Sequence, residues 1–165
     1  MTSEHLLHTI PPIYDRNSKI LILGSFPSVK SREVSFYYGH PQNRFWRVLA
    51  AVLGCAVPSS NEEKTALLQS HNIALWDVIK SCDIVGSSDS SIKNVVPNDI
   101  GVILSSCGIR QIYSNGKTSE KLFNKYIKDT VGRDTVALPS TSPANASYNL
   151  ERLTTSWSVI KNNIR

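Results

Sequence analysis

Four short apolar runs limit what this chain can fold into. They are "KILILGS" (Lys19–Ser25), "IALWDVI" (Ile73–Ile79), "RQIYS" (Arg110–Ser114) and "DTVALPS" (Asp134–Ser140). Each has the length of a buried strand, and amphipathic segments with helical period lie between them. "NRFWRVLAAVL" puts Phe45, Val48, Leu49 and Val52 on one face, and Ser60–Glu63 has the spacing of a capping box that opens a helix to about Ser70. A further helix is expected from Asn98, with Ile100, Ile103, Leu104 and Cys107 on one face. "KTSEKLFNKYIKD" turns Leu122, Phe123, Tyr126 and Ile127 inward, and the closing helix aligns Leu150, Leu153, Trp157 and Ile160. Strands that alternate with helices build βαβ units. The expected fold is α/β: a three-layer α/β/α arrangement around a central four-stranded parallel sheet.

The 165 residues, 41% of them hydrophobic, suit one core and hence one domain over 1–165, with residues 1–18 as an N-terminal extension packed on it. Three scattered cysteines are an odd number with no C-x-x-C pair, which argues against a disulfide framework. The N-terminus holds no apolar run of signal or membrane-span length. Together these predict an intracellular protein with no membrane association, in the cytoplasm or nucleoid if the source is bacterial. A net charge of +5 is compatible with a polyanion partner but is not specific to one. "GSSDSSIKN" (Gly86–Asn94) is expected to be a mobile loop.

The segments after the strands share a chemistry. "GSFPS", "KSC", "NGKTS" and "PSTSPANAS" are all rich in small, hydroxyl or amide residues. In an open parallel sheet such turns gather on one edge, where ligands bind, although the same residues also serve as ordinary turn formers. Several chemistries drop out. A P-loop needs a Gly five residues before Gly116, and position 111 is Gln. A zinc deaminase would show H-x-E and P-C-x-x-C, a helical zinc site would show a spaced His pair, and an iron–sulfur cluster needs four cysteines. No metal and no cofactor are expected. "NAS" at Asn145 has the form of a glycosylation sequon, with nothing else pointing to secretion.

One stretch, "YYGHPQNRFW" (Tyr37–Trp46), crowds rings around a rigid turn and polar edges. "GSFPS" followed thirteen residues on from Pro27 by His40 of "HPQNRFW" resembles the first motif of mismatch-specific uracil/thymine-DNA glycosylases. "LPSTSPAN" is similar to that superfamily's second motif, a Pro-Ser turn that enters the DNA minor groove. Together with "LWDVIKSC", these segments most resemble the hypoxanthine-DNA glycosylase (DNA-deoxyinosine glycosylase) branch of the uracil-DNA glycosylase superfamily, over nearly the whole chain from Lys19. The resemblance implies a monomeric, monofunctional enzyme that flips out and hydrolytically excises a deaminated base from double- or single-stranded DNA.

Two positions depart from the superfamily. Phe26 stands where many relatives carry a catalytic Asn or Asp, and Leu138 where they carry a base-contacting His or Asn. Hypoxanthine is therefore the first expected substrate, with uracil or xanthine as alternatives. A silent nucleic-acid binding module and a small-nucleotide binder are the readings from other classes.

In this branch the catalytic part belongs to Asn43, which could also cap the helix that follows it. The base pocket is expected from Gly24, Ser25, Phe26, Tyr38, His40 and Asp77. Tyr38 is expected to be the stacking ring, with a core or rim aromatic as the alternative, and His40 is expected to be a hydrogen-bonded turn residue rather than a base. DNA contacts are expected from Ser28, Lys30, Ser31, Lys117, Ser140, Thr141, Ser142 and Asn145. Arg44 and Arg47 are expected to be solvated or phosphate-facing, Phe45 and Trp46 to be core. Nothing marks a lysine for Schiff-base chemistry.

Overall fold

The computed structural model describes residues 2–165, so Met1 of the extension lies outside the described residues. Its strands form two sheets. β1 (Glu4–Leu7), β4 (Ile79–Ile84) and β5 (Lys93–Pro97) make a small antiparallel sheet in the order β1-β4-β5. β2 (Ile20–Gly24), β3 (Ile73–Asp77), β6 (Gln111–Asn115) and β7 (Thr135–Leu138) make the expected four-stranded parallel sheet, in the order β3-β2-β6-β7.

Both faces of the parallel sheet are buried, which is why its strands read as unbroken apolar runs. Alternate residues feed two cores. Ile20, Ile22, Ile73, Leu75 and Tyr113 enter one, together with Phe45, Val48, Leu49 and Val52 of α2 (Phe45–Leu53) and Leu153 and Trp157 of α7 (Leu150–Trp157). Leu21, Leu23, Ala74 and Ile112 enter the other, with Ile103 of α4 (Gly101–Ser106) and Phe123 of α5 (Lys117–Tyr126). The expected stripes hold in outline. Leu122, Tyr126, Leu104 and Cys107 are only partly covered, and Leu150 at the start of α7 is exposed. α3 (Asn61–Ser70) opens with a complete capping box between Ser60 and Glu63. The remaining helices are α1 (Val29–Val34) and α6 (Lys128–Val131).

Three expectations need correction. The run Ile73–Ile79 is not one strand: β3 ends at Asp77, and β4 begins two residues later in the other sheet. Val78 and Ile79 donate backbone hydrogen bonds to the carbonyls of Gly24 (2.9 Å) and Ser25 (3.1 Å), which pins the crossover to the end of β2. "KSC" therefore lies inside β4 and does not form an edge loop. Gly86–Asn94 is structured in part, with a 3-10 turn at Asp89–Ser91 and the start of β5 at Lys93. Asn98 does not open a helix; it is buried, and its side-chain amide donates to the carbonyls of Asp77 (2.9 Å) and Ile79 (3.1 Å).

The extension is knitted in. β1 runs antiparallel to β4 with Leu7 opposite Ser81, and the pairing continues as His8 N donates to Lys80 O at 2.7 Å. Ile10 and Ile13 are core residues, and Ile13 bridges Leu75 of the edge strand β3. No helix of the described residues is long and apolar enough to cross a membrane.

Candidate active site

A cavity of about 560 Å³ opens at the C-terminal ends of the parallel strands. Three of the four strand-end segments reach it: Gly24–Ser28 after β2, Asn115 at the end of β6, and Ser140–Ala144 after β7. Asp77 represents β3. Ser87–Ser90, from the connection expected to be a free loop, covers another side. Tyr37, Tyr38, His40 and Asn43 complete the wall.

Asn43 is held by its oxygen. Oδ1 accepts from Phe45 N at 2.9 Å, a capping contact at the start of α2, and from Thr141 Oγ1 at 2.9 Å. Thr141 Oγ1 in turn accepts from Asn115 Nδ2 (3.0 Å), while Thr141 N donates to Asn115 Oδ1 (3.1 Å). Each donor in this chain has one consistent direction, so the Asn43 oxygen is spent and its NH₂ is the part left for a ligand. The capping contact thus uses only the oxygen end of the side chain, so it does not compete with any role of the NH₂. Thr141 is fully enclosed, so its hydroxyl serves Asn43 and not the expected phosphate.

Tyr38 stacks on Phe45 with ring centroids 4.2 Å apart and planes 20° from parallel. Its φ of 53° is unusual for an aromatic residue. The flanking residues hold it there: Trp46 Nε1 donates to Tyr37 O (3.1 Å), and Gly39 N donates to Ser31 Oγ (2.9 Å). The Tyr38 hydroxyl is buried and has no hydrogen-bond partner of good geometry among the described residues, though Asn115 lies near enough to favour its ionised form. Burial, and then the Asp77 charge, push the Tyr38 and Tyr37 hydroxyls far above their usual range, so both stay protonated. Phe26 is half-buried on the cavity, with the Arg32 guanidinium 5.8 Å from its ring centre. His40 is exposed, and its Nδ1 accepts from Gln42 N at 3.1 Å, the contact of a turn residue.

Asp77 is 4% exposed, and only one of its carboxylate oxygens is bonded. Oδ2 meets His8 Nε2 at 2.7 Å; Oδ1 has no hydrogen-bond partner among the described residues. A Cβ on Gly24 would stand 2.4 Å from Oδ1 and 3.0 Å from the Tyr38 hydroxyl, so this close approach requires glycine. His8 carried no local signal in the sequence, since it meets Asp77 across 69 residues of chain. Asn115 was likewise missed.

The expected DNA contacts divide. Ser28, Ser140 and Ser142 line the cavity; Ser31 also lines it but is buried, its hydroxyl bonded to Ser28 and Gly39. Lys30 is exposed away from the cavity and lies 3.6 Å from Glu33. Lys117 is exposed at the start of α5, also off the cavity wall. Asn145 shapes its own loop by donating to Ser140 O at 3.0 Å. Leu138 is a core residue. Arg44 corrects its expectation: its guanidinium is neither solvated nor aimed outward, but donates to the carbonyls of Tyr148, Ser142 (2.9 Å) and Asn145 (3.1 Å), which fastens the second-motif loop to the first. Arg47 is exposed, and Phe45 and Trp46 are core. Among the described residues no three His, Cys, Asp or Glu side chains converge on a point that could hold a metal ion.

A model of the uracil DNA glycosylase superfamily matches residues 11–162. A hypoxanthine DNA glycosylase of Methanosarcina barkeri is 36% identical over 137 residues, 82% of this chain and 85% of its own length. One of Methanosarcina acetivorans is 35% identical over 144 residues, 86% of this chain and 90% of its own. The solution NMR structure of a Methanosarcina acetivorans protein provisionally named a uracil DNA glycosylase superposes with a TM-score of 0.79 at 33% identity, covering 92% of this chain and 94% of that one.

Proposed function

The chain belongs to the uracil DNA glycosylase superfamily, and from that premise we propose that it excises hypoxanthine from deoxyinosine in DNA, the first step of base excision repair. The observation that carries this choice is the open Oδ1 of Asp77 on the same cavity as the free amide hydrogens of Asn43. Hypoxanthine presents a carbonyl oxygen beside a ring N–H, whereas adenine, its parent, presents an amino group beside a ring lone pair. A carboxylate accepts the N–H and repels the lone pair; an amide NH₂ donates to the carbonyl. The two relatives named for hypoxanthine support the same base. Uracil and xanthine share this edge, but Phe26 and Leu138 supply none of the polar contacts that other members direct at uracil.

The chemistry follows from where charge develops. As the glycosidic bond lengthens, the sugar gains oxocarbenium character and the base gains negative charge. A donor held in place beforehand, here the Asn43 NH₂, stabilises the departing base without reorganisation. Its oxygen, an amide carbonyl already accepting two hydrogen bonds, is far too weak a base to take a proton from water, so Asn43 acts on the departing base and not as a general base. The Tyr38 ring, backed by Phe45, and Phe26 offset the cost of holding a flipped base, at roughly 1–3 kcal/mol per stacked ring. No lysine lines the cavity among the described residues, in keeping with hydrolysis rather than Schiff-base cleavage.

Single-turnover reactions on oligonucleotides carrying one inosine, uracil or xanthine, followed by alkaline cleavage of abasic sites, test the reading. Inosine should be cut fastest. Faster uracil excision would overturn the substrate, and no abasic sites on any of them would leave a binding module.

A further inference from the structure

We infer that His8, from the segment ahead of the parallel sheet, is a positioning residue of the active site: it fixes the Asp77 carboxylate so that Oδ1 alone faces the base. The inference rests on the reading of Asp77 given above and adds a residue that none of the motifs contains.

The backbone brings the pair together. β4 starts two residues beyond Asp77, and β1 runs antiparallel to it, so the end of β1 must lie beside the beginning of β4. The bond from His8 N to Lys80 O extends that ladder by one residue and sets the His8 ring against Asp77. Two aromatic neighbours fix the ring. Phe26 meets it edge-on at 6.0 Å, and Tyr37 lies tilted at 6.1 Å. Tyr37 also ties down the chain that follows, since its hydroxyl donates to Pro11 O at 2.8 Å. The side chains of His8 and Asp77 are 2% and 5% exposed, so neither can exchange its partner for bulk water.

The consequences are geometric and electrostatic. An ionised carboxylate only accepts, so His8 Nε2 carries the hydrogen in this contact. That bond occupies Oδ2 and leaves Oδ1 over Gly24 as the one acceptor on offer. It also draws charge away from the carboxylate. A bare carboxylate against the ring N–H would resist negative charge building on the departing base; one already sharing a short hydrogen bond resists it less. His8 thus lets Asp77 read the base while limiting the penalty on its departure.

Deoxyinosine and its N1-methyl derivative, placed singly in duplex oligonucleotides, separate this role from packing. The methyl group removes the N–H that Asp77 would accept, and a site built to hydrogen-bond a group rejects the analogue lacking it by on the order of 100-fold or more. The wild-type protein should show that selectivity in single-turnover rates. His8→Gln, whose amide nitrogen reaches the place of Nε2, should keep it within about threefold, because the donated hydrogen bond to Oδ2 is retained. His8→Leu and His8→Asn, the second too short to reach Asp77, should lose roughly tenfold of it and cut inosine more slowly, with binding to undamaged duplex unchanged. A purely steric rejection of the methyl group would survive all three substitutions. Equal selectivity in the Gln and Asn proteins overturns the inference, and that pair decides the matter if circular dichroism finds His8→Leu unfolded. Wild-type protein that cuts both substrates equally refutes the inference while the glycosylase stands; wild-type protein that cuts no deaminated base removes both.

Discussion

Replacing Asn43 by Asp separates what its two ends do. The side-chain oxygen accepts from Phe45 N and Thr141 Oγ1, and an aspartate oxygen at the same place accepts both bonds. Asp caps a helix about as well as Asn, so folding stability should change by less than about 1 kcal/mol. What disappears is the NH₂, the only part of Asn43 free to donate. Removing one preorganised donor from a developing anion costs on the order of 10²–10³ in rate. Asn43→Ala removes both ends. It should lose the same rate and also stability, about 0.5–2 kcal/mol for the cap and about 1–3 kcal/mol for the enclosed Thr141 hydroxyl left without its acceptor. The assay is single-turnover excision from an inosine duplex at about pH 8, above the usual carboxylate range so that the introduced carboxyl group is ionised and cannot donate. Urea denaturation and a DNA-binding titration accompany it. The expected pattern is Asn43→Asp slow and stable, Asn43→Ala slow and unstable, with DNA affinity nearly constant in both. Asn43→Asp protein that cuts at near the wild-type rate would refute the reasoning and reduce Asn43 to a cap.

Two further outcomes follow from neighbours of these contacts. Thr141→Val should lower Tm by roughly 5–10 °C in thermal denaturation, because a fully enclosed hydroxyl that both donates and accepts is lost and Asn115 Nδ2 is orphaned, while Thr141→Ser should restore most of it. Gly24→Ala should fold but excise inosine at least about tenfold more slowly in the same single-turnover assay, since its Cβ would sit 2.4 Å from Asp77 Oδ1 and must displace the carboxylate.

The parallel sheet was legible because both its faces are buried, which leaves an unmistakable run such as "KILILG" followed by a turn. The antiparallel sheet was not. "IALWDVIKSCDI" is one continuous strand-forming stretch, and nothing local marks Val78 as the place where it leaves one sheet for another. "EHLL" is a strand only because β4 is there to pair with it. The site divides along the same line. Residues within one motif, such as Tyr38, Asn43 and the serines around Ser140, could be read from spacing and resemblance. Residues whose place depends on pairing between distant segments could not: His8 reaches Asp77 through a strand register, and Asn115 meets Thr141 across 26 positions. Arg44 was misread for a related reason. Sequence shows its charge, but the carbonyls that surround it lie about a hundred residues away in "SPANASY".

That guanidinium has a bearing on how the two signature loops can move. It sits at the entrance to α2 and holds three carbonyls of the segment after β7, and a backbone bond from Arg44 N to Thr141 O (3.0 Å) doubles the link. The loop that would press into the duplex cannot swing out without emptying all of these acceptors and leaving a half-buried guanidinium without them. Opening of the one loop is therefore opening of the other, and amide hydrogens in both should exchange with deuterium at a shared rate, as a single cooperative unit rather than two independent flaps. If the two loops do open only together, the protein should meet DNA with a stiff edge, and most of the motion needed to bring base and pocket together would fall to the nucleic acid.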